Sequence, residues 1–390
     1  MSAGGRIAEH LSIGVLGAAY PHAAVAAALA ATDKHSERVR DLPAAVVTYY
    51  VMALGLLMTV STKEVLRVLL EGMRWLGSDG TMKVASKAAI AQARARLGPE
   101  PLRELWQQSA RPLATADTPA AFYRGRRLVA LDGSTLDVPD TAANRAHFGK
   151  PGASRGKAAF PQLRLVGLIE TGTHGFFAAA IGPYARGEQT LATEVLPALK
   201  PDMLCLADRL FANFPFWEKA AATGATLLWR IRSNLILPIE QALPDGSYLS
   251  TFYPSTKDRR KRTNGLRVRI IEYQLEGAPT TETYRLMTTL LDAQQAPADE
   301  LAALYPERWE LEGAFDELKT HLRGGQVVLR SKTPQLIEQE FYGLLLAHRA
   351  VRSLMWRAAV ATNQDPDRLS FTHAVHVIRR KLATRPAFSP

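Results

Sequence analysis

The apolar positions follow two different periods on either side of about residue 115. Before it the repeat is helical. In Thr62–Leu76 (TKEVLRVLLEGMRWL), Val65, Leu66, Leu69, Leu70 and Met73 recur every three or four residues, which predicts an amphipathic helix capped by Thr62. Leu42–Val60 (LPAAVVTYYVMALGLLMTV) is an uncharged run just long enough to span a bilayer. Its Pro43, Thr48, Gly55 and paired Tyr49 and Tyr50 predict a buried helix instead, and no second span follows. Gly77–Gly80 predicts a turn. Ser86 then caps a helix ended by Gly98 and Pro99, with Lys87, Gln92, Arg94 and Arg96 on its exposed face.

From Arg127 the period becomes that of strands. RLVALDGSTLDV is an apolar strand running into Asp132, with Gly133 and Ser134 next. Phe160–Glu170 and Phe176–Ile181 are two strands joined by the hairpin TGTHG. A helix over Gln189–Leu199 leads to a short buried strand, MLCLAD, ending in Asp208. Three strands, a crossover helix and a fourth strand, with acids ending the first and fourth, match the ribonuclease-H-like order. In that order the fourth strand returns parallel beside the first, so Asp132 and Asp208 become neighbours. A further strand-rich stretch, Thr226–Glu282, carries the charge run Lys257–Arg262, and Tyr284–Leu290 restores a core strand.

The predicted fold class is α/β, with a ribonuclease-H-like mixed-sheet catalytic core, a β-strand insertion and an all-α N-terminal domain in front. The expected division is a helical N-terminal domain over 1–115, a core over 116–225 and 283–365, a β-rich insertion over 226–282, and a basic tail over 366–390. The two helices about the glycine turn fit a helix-turn-helix reader of DNA or an ordinary bundle with a basic surface.

Composition narrows the function classes. An apolar fraction of 47% and a charged fraction of 22% over 390 residues belong to a folded chain of two or three domains. Lys plus Arg number 48 against 37 Asp plus Glu, and the net charge of +11 suits a polyanionic partner, nucleic acid before an anionic membrane surface. A single cysteine, Cys205, excludes an internal disulfide and a cysteine-cluster zinc site. The first residues lack the apolar core of a signal peptide, so secretion is not expected.

The candidate chemistry lies in Tyr305–Lys319 (YPERWELEGAFDELK). On a helical wheel Tyr305, Arg308, Glu312, Asp316 and Lys319 share one face. Such a face is either a solvated stripe stitched by an Arg308–Glu312 pair, or a row of functional groups: a stacking ring, two phosphate-binding cations and an oxygen ligand. Phosphodiester cleavage uses two divalent ions held by carboxylates. Asp132, Asp208 and Glu312, on two strand ends and a later helix, meet that need. Asp137 on the opposite strand face, Asp140 in a turn, and Glu310 and Glu317 off the Glu312 face are set aside; Asp316 and Glu307 lie closer to it.

These motifs resemble the DDE transposases of bacterial insertion sequences, specifically the insertion-sequence-four group. Its Tyr-x2-Arg-x3-Glu-x6-Lys signature reads without a gap as Tyr305, Arg308, Glu312 and Lys319, and the first and second acid motifs are similar to LDGST and ADRLF. The resemblance implies that Asp132, Asp208 and Glu312 hold two Mg²⁺ ions, with Mn²⁺ able to substitute. It implies that Arg308, Lys319 and Arg209 contact DNA and that Tyr305 stacks on a base or sugar at the transposon end. It further implies cleavage and strand transfer on terminal inverted repeats and target duplex, a homodimer on paired ends, and a bacterial cytoplasmic, nucleoid-associated location without membrane. In hairpin-forming members a tryptophan of the insertion holds a flipped base; Trp229 is read here as core. The alternatives are a non-catalytic DNA-binding regulator and a metal-dependent nuclease without strand transfer.

Overall fold

The computed structural model describes residues 13–36, 42–75, 84–153, 156–274, 283–323 and 328–383. Among the described residues helices come first: α1 (Ile13–Ala19), α2 (His22–Ala31), α3 (Ala44–Leu56), α4 (Thr62–Trp75), α5 (Lys87–Leu97) and α6 (Glu100–Ser109). Next are β1 (Phe122–Tyr123), β2 (Arg126–Asp137), α7 (Ala142–Phe148), the short pair β3 (Gly152–Ala153) and β4 (Gly156–Lys157), β5 (Gln162–Glu170) and β6 (Gly175–Pro183). Helix α8 (Glu188–Val195) crosses to β7 (Met203–Ala207), and α9 (Phe214–Ala221) to β8 (Thr226–Arg230). β9 (Gln241–Ala242), β10 (Tyr248–Phe252), α10 (Thr256–Lys261), β11 (Leu266–Gln274) and β12 (Thr283–Thr288) follow. Last come α11 (Ala298–Leu304), α12 (Glu310–Asp316), α13 (Pro334–Thr362) and α14 (Phe371–Ala383).

Among the described residues ten strands form one sheet, in the order β6-β5-β2-β7-β8-β12-β11-β10-β9 with β1 paired to β2, and β3 and β4 pair only with each other. β6, β5 and β2 are an antiparallel meander, whereas β7 lies parallel to β2 and β8 parallel to β7. This is the mixed ribonuclease-H-like order. Alternation along the strands separates two apolar layers. Val129, Leu131, Cys205, Ala207 and Trp229 face α8 and α9, and Leu128, Ala130, Leu204, Leu206 and Leu228 face the layer that contains α13.

Several expectations change. TLLWR, read as the start of the insertion, is β8, paired parallel with β7 from Leu204↔Thr226 to Ala207↔Trp229. It is therefore a central strand, and β12 to β9 extend the same sheet instead of forming another. The basic tail is a packed helix over Phe371–Ala383, whose Phe371, Val375 and Ile378 enter the core at helical spacing. Trp229 is fully buried between Phe216 and Trp217.

The uncharged stretch near residue 50 is α3, buried continuously from Val46 to Leu56. It crosses α13 at two glycines: a Cβ on Gly55 would sit 3.0 Å from Ala347 Cβ, and one on Gly343 2.7 Å from Val51 Cγ1. No helix of the described residues is long and apolar enough to cross a membrane. The glycine turn over 77–80 lies outside the described residues. Ser86 does cap α5, its Oγ accepting from the Ala89 N–H at 3.2 Å. Lys87, Gln92 and Arg96 are exposed, but Arg94 is buried, with Nε donating to Gln339 Oε1 at 2.8 Å and Nη2 to Ser331 Oγ at 2.9 Å. The basic face is thus smaller than the wheel predicts, because α5 packs against α13 on the side that carries Arg94.

Candidate active site

Strand register brings the first two acids together. The parallel pairing of β2 with β7 ends at Leu131↔Ala207. Asp132, still within β2, and Asp208, just past the end of β7, are the next residues of the two segments, and neighbouring strands lie about 4.8 Å apart. β2 itself does not stop there: its antiparallel pairing with β5 continues to Asp137↔Gln162. Asp132 therefore stands on a rigid strand at the point where one neighbour falls away. Asp208 is held by an Asx turn, its Oδ1 accepting from the Leu210 N–H at 2.7 Å. Arg209 lies exposed in that turn.

The third acid arrives on a helix with an irregular backbone. A 3₁₀ segment over Tyr305–Trp309 precedes α12, and a π-helical turn over Glu317–His321 follows it. Tyr305 anchors this helix: it is 5% exposed, and its hydroxyl donates to the Ala207 carbonyl at 3.1 Å. That carbonyl belongs to the residue before Asp208. Its ring thus lies in the core and its hydroxyl is committed to β7, whereas the stacking expected of Tyr305 needs an accessible ring.

Glu312, with its side chain 51% exposed, projects from α12 towards Arg308. Arg308 spans the acids, with Nη1 donating to Asp132 Oδ2 at 3.0 Å and Nη2 to Glu312 Oε1 at 3.5 Å. Its guanidinium also lies 4.5 Å from the centre of the exposed Trp309 ring. Lys319, in the π turn, donates to Ser134 Oγ at 2.9 Å, and burial holds its ammonium pKa below the usual lysine range. Register and helix placement thus bring together Asp132, Asp208, Glu312, Arg308 and Lys319.

The electrostatics favour a cation. Burial pushes the Asp132 carboxyl up to about 6, and the charges of Asp208 and Glu312 add to the shift against the Gly133 N–H and Arg308. A further carboxylate, Glu188, stands at the start of α8. Burial, followed by Asp132 and then Asp208, drives it up to about 7. Carboxylate oxygens alone are the hard donor set that Mg²⁺ or Mn²⁺ takes, and Arg308 compensates the acids only in part. The residues present therefore fit divalent ions.

The acids set aside have other partners. Asp137 accepts from Gln162 Nε2 at 2.8 Å, Asp140 pairs with Lys150 and Arg145, and Asp316 pairs with His321 at 2.9 Å. Glu307, placed near Glu312 on the wheel, instead faces Glu310, Asp365 and Asp367, and burial together with those acids raises its pKa. Glu310 and Glu317 point to the opposite side of α12, where the His174 ring lies between them. Arg352 and His348 complete that network through Glu317. His174, Glu310 and Asp367 bring ligand atoms within 4.8 Å of one another. With Arg352 facing Glu310 and Asp367, this group is an ion-pair brace between α12, α13 and the β5–β6 turn.

Sequence comparison agrees with the geometry. Residues 10–107 match the family described as insertion element 4 transposase N-terminal, and residues 123–349 match the transposase DDE domain. The transposase InsG for insertion sequence element IS4 of Escherichia coli strain K12 is 30% identical over 317 residues, covering 80% of this chain and 71% of InsG. The piggyBac transposase in its synaptic complex with hairpin DNA is similar with a TM-score of 0.48 and 11% identity, over 98% of this chain and 84% of that one. With both family matches in chain order and 30% identity to a relative over 80% of the chain, the chain belongs to the IS4 family of DDE transposases.

Proposed function

We propose that this protein binds the terminal inverted repeats of its insertion sequence and catalyses cleavage and transfer of DNA strands. It would do so with two Mg²⁺ ions, or Mn²⁺ in their place, held by Asp132, Asp208 and Glu312. The observation that carries the reading is that Asp132 and Asp208 come side by side where β7 ends against β2, with Arg308 tying Asp132 to Glu312. When bound, the ions supply Lewis-acid activation of the attacking oxygen and charge stabilisation of the leaving one. In cleavage, water oxygen attacks phosphorus and the 3′-oxygen departs with the bonding electron pair. In joining, that 3′-hydroxyl attacks a second phosphodiester, whose own 3′-oxygen leaves.

The chain's own cations have separate tasks. Arg308 bridges carboxylates that would otherwise repel, and its fork can exchange Glu312 for a phosphate oxygen. Lys319, beside Ser134 at the edge of the site, offers a phosphate contact next to the cut. Arg209 is exposed beside Asp208 for the same purpose. The exposed Lys87, Gln92 and Arg96, and the solvated helix α10 within the 226–282 extension, supply contacts along the duplex. A homodimer on paired ends follows from the need to cut and join two ends in one complex, and a cytoplasmic, nucleoid-associated location follows from the substrate.

The test is an in vitro reaction of the full chain on its own terminal repeats with Mg²⁺ and a target duplex. Joined end–target products are expected. Cleavage without joining would leave a nuclease, and binding with neither reaction a regulator.

A further inference from the structure

Glu188 is the first residue of α8, the helix that connects β6 to β7. Its carboxylate lies against the main chain of β2 where a side chain would otherwise be: a Cβ built on Gly133 would fall 2.3 Å from Glu188 Cδ and 2.4 Å from Oε1. Gly133 directly follows Asp132, and its N–H donates to Asp132 Oδ1 at 2.8 Å. A glycine at 133 therefore opens a cradle beside the first acid, and Glu188 fills it. The second acid is linked to the same turn of helix by a separate contact. Gln189 donates its side-chain amide to the Leu210 carbonyl, and the Leu210 N–H caps Asp208. The charged groups facing Glu188 are Asp132 and Asp208, of like sign, and Arg164, whose guanidinium lies 4.7 Å from the Tyr184 ring centre.

We propose that Glu188 is a fourth carboxylate ligand of the divalent-ion site, set on the α8 side of Asp132 and Asp208. The proposal rests on the reading of those two acids as metal ligands. It gives the site an oxygen donor on each side of the strand ends: Glu312 from the helix after the sheet and Glu188 from the helix within it. It also gives Gly133 a reason to be glycine, because any side chain there would expel the carboxylate from the cradle.

The experiment titrates Mn²⁺ into the full-length protein without DNA, with free ion measured by electron paramagnetic resonance. Wild type is compared with Glu188→Gln, Glu188→Asp and Asp132→Asn. The expected result is an at least tenfold weaker Mn²⁺ affinity in Glu188→Gln, partial recovery in Glu188→Asp, and a melting temperature of Glu188→Gln in metal-free buffer no lower than wild type. Wild-type Mn²⁺ affinity in Glu188→Gln, with loss in Asp132→Asn, would overturn the role of Glu188 alone. Wild-type affinity in Asp132→Asn as well, or no uptake by wild type, would overturn the metal-site reading and the proposal with it.

Discussion

Arg308 donates to Asp132 across 176 residues of chain, Nη1 to Oδ2 at 3.0 Å, and both side chains are largely withdrawn from water. The same guanidinium reaches Glu312, so one cation joins a strand acid to the helix acid. The i,i+4 pair visible in the sequence is the longer of these two contacts.

Removing Arg308 would leave buried negative charge without its partner. Arg308→Ala is expected to lower the unfolding free energy of the metal-free protein by about 3 kcal/mol, the cost of breaking a buried ion pair from one side. Urea unfolding measures it, and added Mg²⁺ should restore part of the loss. An unchanged midpoint would mean that the acids are compensated elsewhere.

Stability of the metal-free protein should depend on pH in the direction set by Asp132 and Glu188. Their carboxyls are raised to about 6 and about 7, so between the ordinary carboxylate range and those values the folded state binds more protons than the unfolded. Stability from these groups is present at low pH and lost as pH rises through that window. Carboxyls held below the ordinary range, such as Asp245 and Asp258, act at lower pH. Relative to Glu188→Gln, wild type should therefore lose melting temperature from about pH 5 to about pH 8. A constant difference across that range would contradict the assignment.

Tyr305 should behave as a core residue. Tyr305→Phe removes one buried hydrogen bond, at a cost of about 1 kcal/mol, without changing affinity for end DNA. Urea unfolding and gel shift separate the two effects. Weakened end binding at unchanged stability would return the tyrosine to a DNA-contacting role.

Lys319→Ala is expected to fold normally but to bind terminal-repeat DNA less tightly, with a salt dependence shallower by about one phosphate contact. Filter binding over a range of salt reads the slope, and a slope equal to wild type would remove Lys319 from the phosphate contacts.

The sequence was most informative where the signal is local. The strand–hairpin–strand–helix–strand order gave the sheet, because period and turn residues are written in neighbouring positions, and Asp132 and Asp208 followed from strand order alone. It failed where pairing is long-range. TLLWR is apolar on both faces whether it ends a central sheet or begins another, and only its register with β7 decides. The α5 wheel carries no sign that α13 buries Arg94 on one side. The basic tail hid the spacing of Phe371, Val375 and Ile378 that makes it a packed helix. Glu188 could have been suspected only as an acid opening the crossover helix; its approach to Gly133 is a tertiary contact.

The central claim is that Asp132, Asp208 and Glu312 together form the metal-dependent cleavage site. The direct measurement is strand cleavage of the element's own ends with Mg²⁺ by wild type, Asp132→Asn, Asp208→Asn and Glu312→Gln, with end binding measured in parallel. Each variant is predicted to bind ends and fail to cut them. Cleavage retained by any one of the three would contradict the assignment of that acid.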